Sequence, residues 1–133
     1  MTYDEKAKRK QIEFYDKYPL CFLDGEPECG FYCNYGWWPL IDKLCSDITN
    51  ELSKLSEEDR SNFRVTQIKA KFGELRFYVK ATKLKNCNDK IYFLIHKAEA
   101  ESKKICELCS SEAKLIKTRT GMFVTQCDSC QEE

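Results

Sequence analysis

The stretch FRVTQIKAKFGELRFYVKA, residues 63–81, decides the fold class. Apolar and polar residues alternate with period two on both sides of Gly73, the pattern of two half-buried strands joined by a tight turn. Gly73-Glu74 fits a two-residue type II′ loop, because glycine comes first and supplies the positive φ that this turn needs. Such a loop sets Phe72 opposite Leu75, Ala70 opposite Phe77 and Ile68 opposite Val79, an apolar set that belongs on the core face. The other face then pairs Lys71 with Arg76, Lys69 with Tyr78 and Gln67 with Lys80.

A hairpin with one apolar face has to be covered, and helical patterns flank it. Pro39 opens a helix whose Ile41, Leu44, Cys45, Ile48, Leu52 and Leu55 recur at i, i+3, i+4 and i+7. Asp89 to Lys104 carries Ile91, Leu94, Ile95 and Ala98 on one face, with Asn88 as its N-cap. Asp4 to Tyr18 places Ala7, Ile12, Tyr15 and Tyr18 near helical spacing, and Pro19 ends that run. Residues 19–38, rich in Gly, Pro, Cys and aromatics, read as an irregular packed loop, and Ser56 to Asn62 as a turn or brief helix.

Nine cysteines in 133 residues are the outlier of the composition. The first twenty residues carry nine charges and no apolar signal-peptide core, so the expected setting is a reducing cytoplasm, where thiols are free, metal-bound or catalytic. Cys106 and Cys109 form one C-x2-C knuckle, Cys127 and Cys130 a second, with seventeen residues between. Each knuckle offers two thiolates to one side of a tetrahedral ion, and the intervening residues suit a short hairpin, from Ala113 to Thr118 and Met122 to Gln126 with Gly121 at the bend. Four thiolates close the coordination sphere, so the expected ion is one structural zinc. Cys21, Cys29, Cys33, Cys45 and Cys87 have no such pattern. Cys29 and Cys33, spaced C-x3-C, could meet Cys21 at a second metal, and the competing expectation is buried or free thiols, with Cys45 in the core. The expected fold is therefore α+β: helices packed on a β-hairpin or small antiparallel sheet (residues 1–104), followed by a zinc ribbon (residues 105–133).

The 22 basic and 22 acidic residues cancel, which excludes binding by bulk charge of either sign. The cancellation is uneven along the chain. Residues 24–62 hold nine acids and three bases, a net −6, whereas residues 64–85 hold seven bases and one acid, a net +6. Lys69, Lys71, Arg76 and Lys80, with Tyr78 among them, form a candidate patch for an anionic partner, set against the plainer reading of a solvated face. No apolar run is long enough to span a membrane.

The ordered combination GFYCNYGWWPLIDKLC (30–45), VTQIKAKFGELRFYVK (65–80) and a helix leading into CELC and CDSC resembles a family of small proteins encoded by bacteriophages and prophages. The likeness covers roughly residues 30–130. It implies a genomic setting, host takeover or the blocking of a bacterial defence, and brings no activity with it.

No paired catalytic carboxylates, phosphate-binding glycine loop, nucleophile elbow or H-E-x-x-H is present, and the single histidine, His96, sits in a helical pattern, so no enzyme is expected. The expectation is a protein-binding accessory that sterically blocks a host enzyme or defence complex, with the aromatics around Trp37 and Trp38 as contacts. The alternative is a nucleic-acid-binding or transcription-modulating ribbon protein, to which Lys114, Lys117 and Arg119 would contribute.

Overall fold

The computed structural model describes residues 3–81 and 88–131. Along the described chain the order is α1 (Tyr3–Lys17), β1 (Phe31–Tyr32), α2 (Trp38–Leu52), α3 (Glu57–Arg60), β2 (Phe63–Lys71), β3 (Glu74–Ala81), α4 (Asn88–Ser102), β4 (Lys114–Lys117) and β5 (Phe123–Gln126). This is the expected α+β architecture, with β4 and β5 carrying the C-terminal cysteines. α4 already includes Asn88, expected to precede it as a cap; the side chain of Asn88 and the position of Cys87 lie outside the described residues.

The amphipathic stripe of α2 does what its spacing requires: Ile41, Leu44, Cys45, Ile48 and Leu52 are at most 3% exposed. Ile91, Ile95 and Ala98 of α4 close the core beside it. Tyr15 of α1 and Tyr18 just beyond its end are buried, but Ile12 is 56% exposed and does not belong to the core stripe. The segment expected to be irregular contains β1, which pairs parallel to β2 with Phe31 opposite Ile68 and Tyr32 opposite Lys69. The sheet is thus mixed, in the order β1-β2-β3. Two residues are too short a run to show a period in sequence.

The hairpin keeps its expected faces but slides. Lys71 pairs with Glu74, Ala70 with Leu75, Lys69 with Arg76 and Ile68 with Phe77. The loop is Phe72-Gly73, and both residues have positive φ, 53° and 76°, the signature of a type I′ turn rather than type II′. Because the turn moves back by one residue, each inward residue meets a new partner: Ile68, Leu75 and Phe77 remain in the core with Val79 half-buried against it, whereas Ala70 and Phe72, both expected on the core face, are exposed, Phe72 by 67%. A bulge between Val65 and Gln67 then restores Phe63 and Val65 to the inner face. The tip of the slid hairpin packs against residues far along the chain. A Cβ on Gly73 would overlap Leu115 Cδ1 and stand 3.1 Å from the Val124 carbonyl carbon, so the position against β4 and β5 requires glycine. Thr125 Oγ1 also donates to the Gly73 carbonyl at 2.5 Å.

Both sheet edges are tied off by helix side chains. On the β3 edge, the Leu75 and Phe77 amides donate to Ser102 Oγ (2.9 Å) and Glu99 Oε2 (3.0 Å) of α4, so these buried polar groups are satisfied. On the β1 edge, Gln11 Nε2 of α1 donates to the Phe31 carbonyl at 3.0 Å. With core on one face and both edges covered, the outer face of the sheet is the surface left open.

Candidate metal centre and open sheet face

The four cysteines of the two knuckles converge. The Sγ atoms of Cys106, Cys109, Cys127 and Cys130 all lie within 4.8 Å of one another, and Cys109 and Cys127 are 3.5 Å apart. Tetrahedral zinc–thiolate bonds of about 2.3 Å place sulfurs about 3.8 Å apart, so this set can hold a metal ion such as zinc. The first knuckle turns through Ser110, whose φ is 71°, with the Cys106 amide donating to the Ser111 carbonyl at 2.7 Å. The second turns through residues 128–130, where the Cys130 amide reaches the Cys127 carbonyl at 3.1 Å.

Crowding splits the thiols electrostatically. The Ser111 side chain and amide, with Cys127 and Cys130 beside them, draw the Cys109 thiol down to about 6. The neighbouring Cys127 and Cys109 push Cys130 up to about 12. The Cys109 thiolate therefore forms easily while that of Cys130 is discouraged, an electrostatic demand that a divalent ion meets.

The site is built into the body of the fold. Cys106 is fully buried, and Trp37 Nε1 donates to the neighbouring Ile105 carbonyl at 2.9 Å. The Gly36 amide donates to Glu107 O at 2.8 Å, and Ser110 Oγ to Gly36 O at 2.6 Å. Glu107 then joins the knuckle to β5, its Oε2 accepting from the Thr125 amide at 3.2 Å; burial pushes its carboxyl above the usual carboxylate range.

No second cluster forms among the described cysteines. Cys21 is buried with its Sγ 3.7 Å from the Cys45 carbonyl, Cys45 is in the core, Cys29 is exposed, and burial pushes the half-buried Cys33 up to about 12. His96 is on the solvent side of α4, 3.2 Å from Glu99 and stacked on Tyr92.

The aromatic contacts expected of Trp37 and Trp38 are corrected. They are 0% and 7% exposed. Trp38 packs against Phe14, Phe31 and Tyr35 with ring centroids 5.5, 5.3 and 4.7 Å away, so these rings hold α1, β1 and α2 together and present no surface.

The basic residues of the hairpin do share a face. Lys69, Lys71, Arg76, Tyr78 and Lys80 all point away from the core, paired as Lys69 with Arg76, Lys71 with Glu74, Tyr78 with Gln67 and Lys80 with Arg64, in place of the pairing that a Gly73-Glu74 turn sets. Tyr32, 68% exposed, joins them from β1 opposite Lys69, in a strand of two residues that leaves no periodic signal in the sequence. Lys69 Nζ lies over the Tyr78 ring at 6.0 Å. Of the acidic segment, Asp24 reaches this face and pairs with Arg64 at 2.6 Å; Arg76 pairs with Glu74 at 3.4 Å. Lys69, Lys71 and Lys80 form no ion pair with a described residue.

No described helix is long and apolar enough to cross a membrane. No protein-family model matches the chain, and no curated protein or solved structure is significantly similar to it.

Proposed function

We propose that this chain is a non-enzymatic nucleic-acid-binding module whose ribbon is held by one structural zinc. The observation that carries the reading is the open sheet face, where three lysines without an ion pair among the described residues stand among the exposed rings of Tyr32 and Tyr78. Lysines meet phosphates and tyrosine rings stack bases, and neither needs a net positive protein when the charge is gathered on one face. The burial of Trp37 and Trp38 removes the main ground for preferring a host protein as partner. Zinc contributes no open position here, because four thiolates complete its shell, and its role is to tie the two knuckles together.

Fluorescence anisotropy with labelled oligonucleotides tests the reading. Neutralisation of about three phosphates by Lys69, Lys71 and Lys80 predicts a slope of log K against log salt of about −2 for a single strand. Lys69→Glu combined with Tyr78→Ala should weaken binding at least roughly tenfold, since one stacked base and one phosphate contact are lost. Absence of oligonucleotide binding, together with a protein complex from lysate that survives nuclease, would replace this reading with the protein-binding one. Elemental analysis should find about one zinc per chain, and a folded, metal-free protein would refute the structural role.

A further inference from the structure

We propose that the binding face does not end at the sheet but continues over the hairpin tip onto the ribbon, and that the two limbs hold one single-stranded nucleic acid. This rests on the reading above and deepens it. Three exposed rings each carry a lysine: Tyr78 with Lys69 at 6.0 Å, Phe72 with Lys71 at 5.7 Å, and Phe123 with Lys117 at 5.9 Å. The rings are 40%, 67% and 43% exposed. The lysine–ring pairs of α1 differ, because their partners Tyr18 and Tyr35 are packed in or against the core.

The three pairs follow one another in space. Lys69 and Lys71 project from the same face of β2, two residues apart, and Phe72 is the next residue, at the turn. Gly73 touches Leu115 and takes the Thr125 hydrogen bond, which sets the tip on one face of the β4–β5 hairpin. Leu115 pairs with Thr125 and, two residues on, Lys117 with Phe123, so the third pair lies on that same ribbon face. Leu115 itself, 46% exposed, fills the interval with apolar surface.

Phe72 supplies an independent argument. It holds φ at 53°, a region that bulky side chains avoid, in a turn that favours Asn or Gly there, and it contributes nothing to the core. A strained residue that keeps a large ring in solvent is explained if the ring has a ligand to stack on. The repeated unit of ring plus ammonium matches the repeated unit of base plus phosphate. A duplex hides the faces of its bases within its own stack, whereas a single strand offers them.

The test is a length series of fluorescein-labelled oligothymidylates measured against the intact, metal-loaded protein and a Lys117→Ala, Phe123→Ala variant, with zinc content and circular dichroism confirming the fold. Affinity of the wild type should rise with length until both limbs are spanned. The ribbon variant should lose that gain, weakening roughly 5- to 100-fold for long oligomers, the worth of one stacked base and its phosphate, while short oligomers bind as before. Phe72→Asn should weaken binding in the same manner. If the wild type binds but the ribbon variant binds long oligomers equally well, the continuation onto the ribbon is wrong and the sheet face stands alone. Preference for duplex over single strand also overturns it. If the wild type binds no oligomer, the functional reading falls and this inference with it.

Discussion

Replacing Gly36 by alanine tests how firmly the metal-bearing ribbon is built into the body of the protein. A Cβ at Gly36 would overlap the Cys106 carbonyl oxygen and the Glu107 carbonyl carbon, and would lie 2.6 Å from the Glu107 oxygen. These are backbone atoms and cannot swing aside, so the first knuckle must retreat by roughly 1 Å, which is overpacking of a tight contact. Such a retreat takes the Gly36–Glu107 and Ser110–Gly36 hydrogen bonds, at 2.8 and 2.6 Å, beyond useful length and loosens the Trp37–Ile105 bond at 2.9 Å. At about 1 kcal/mol for each of the two bonds lost, with about 1–3 kcal/mol for the steric conflict, the cost is about 3–5 kcal/mol, a large part of a typical stability of about 5–15 kcal/mol. Thermal unfolding should fall by about 10 °C or more, and trypsin should cleave the ribbon early at Lys114 or Lys117. Zinc content should stay at that of the wild type, because all four thiols are retained and the first knuckle can shift as a unit with its two cysteines. A melting temperature within about 2 °C of the wild type would refute the argument that the knuckle is locked against the 34–37 segment.

Three further outcomes follow from the same geometry. Phe72→Asn, which relieves the left-handed strain, should raise stability by about 0.5–1 kcal/mol in a denaturant melt; a loss of stability would show that the ring is structurally needed. Glu99→Ala should cost about 1–3 kcal/mol and raise hydrogen exchange at the Phe77 amide, whose acceptor it removes, and an unchanged exchange rate would contradict the edge-sealing role. Desolvation raises the Asp42 carboxyl, but hydrogen bonds from Tyr18 (2.6 Å) and Lys17 (3.0 Å) outweigh it and hold the group below its ordinary value of 3.8. A depressed folded value means stability that is present above pH 3.8 and is lost as pH falls through the lower folded value, so Asp42→Asn should flatten the acid limb of a stability–pH curve below about pH 4, and an unchanged limb counts against the pair.

The periodicities of residues 63–81 and 39–55 marked Ile68, Leu75 and Phe77 and the α2 stripe as inward, because away from the turn a residue's face depends on local alternation and on the 3.6-residue repeat. The two C-x2-C knuckles likewise determined the candidate ligands, since two thiols on a tight turn are neighbours whatever surrounds them. The register was a tertiary decision. Gly73 meets Leu115 and Val124 from the ribbon, and the turn at Phe72-Gly73 puts the residue without a Cβ there. Trp37 was ambiguous for a similar reason: its indole finds its acceptor at Ile105, 68 residues away, and without that partner a loop tryptophan reads equally well as surface. Tyr32 became part of the open face only when Phe31 and Tyr32 joined β2, a pairing two residues long. Local patterns were legible where a residue's fate depends on its chain neighbours. Where it depends on the atoms that long-range packing brings against it, only the folded chain could decide.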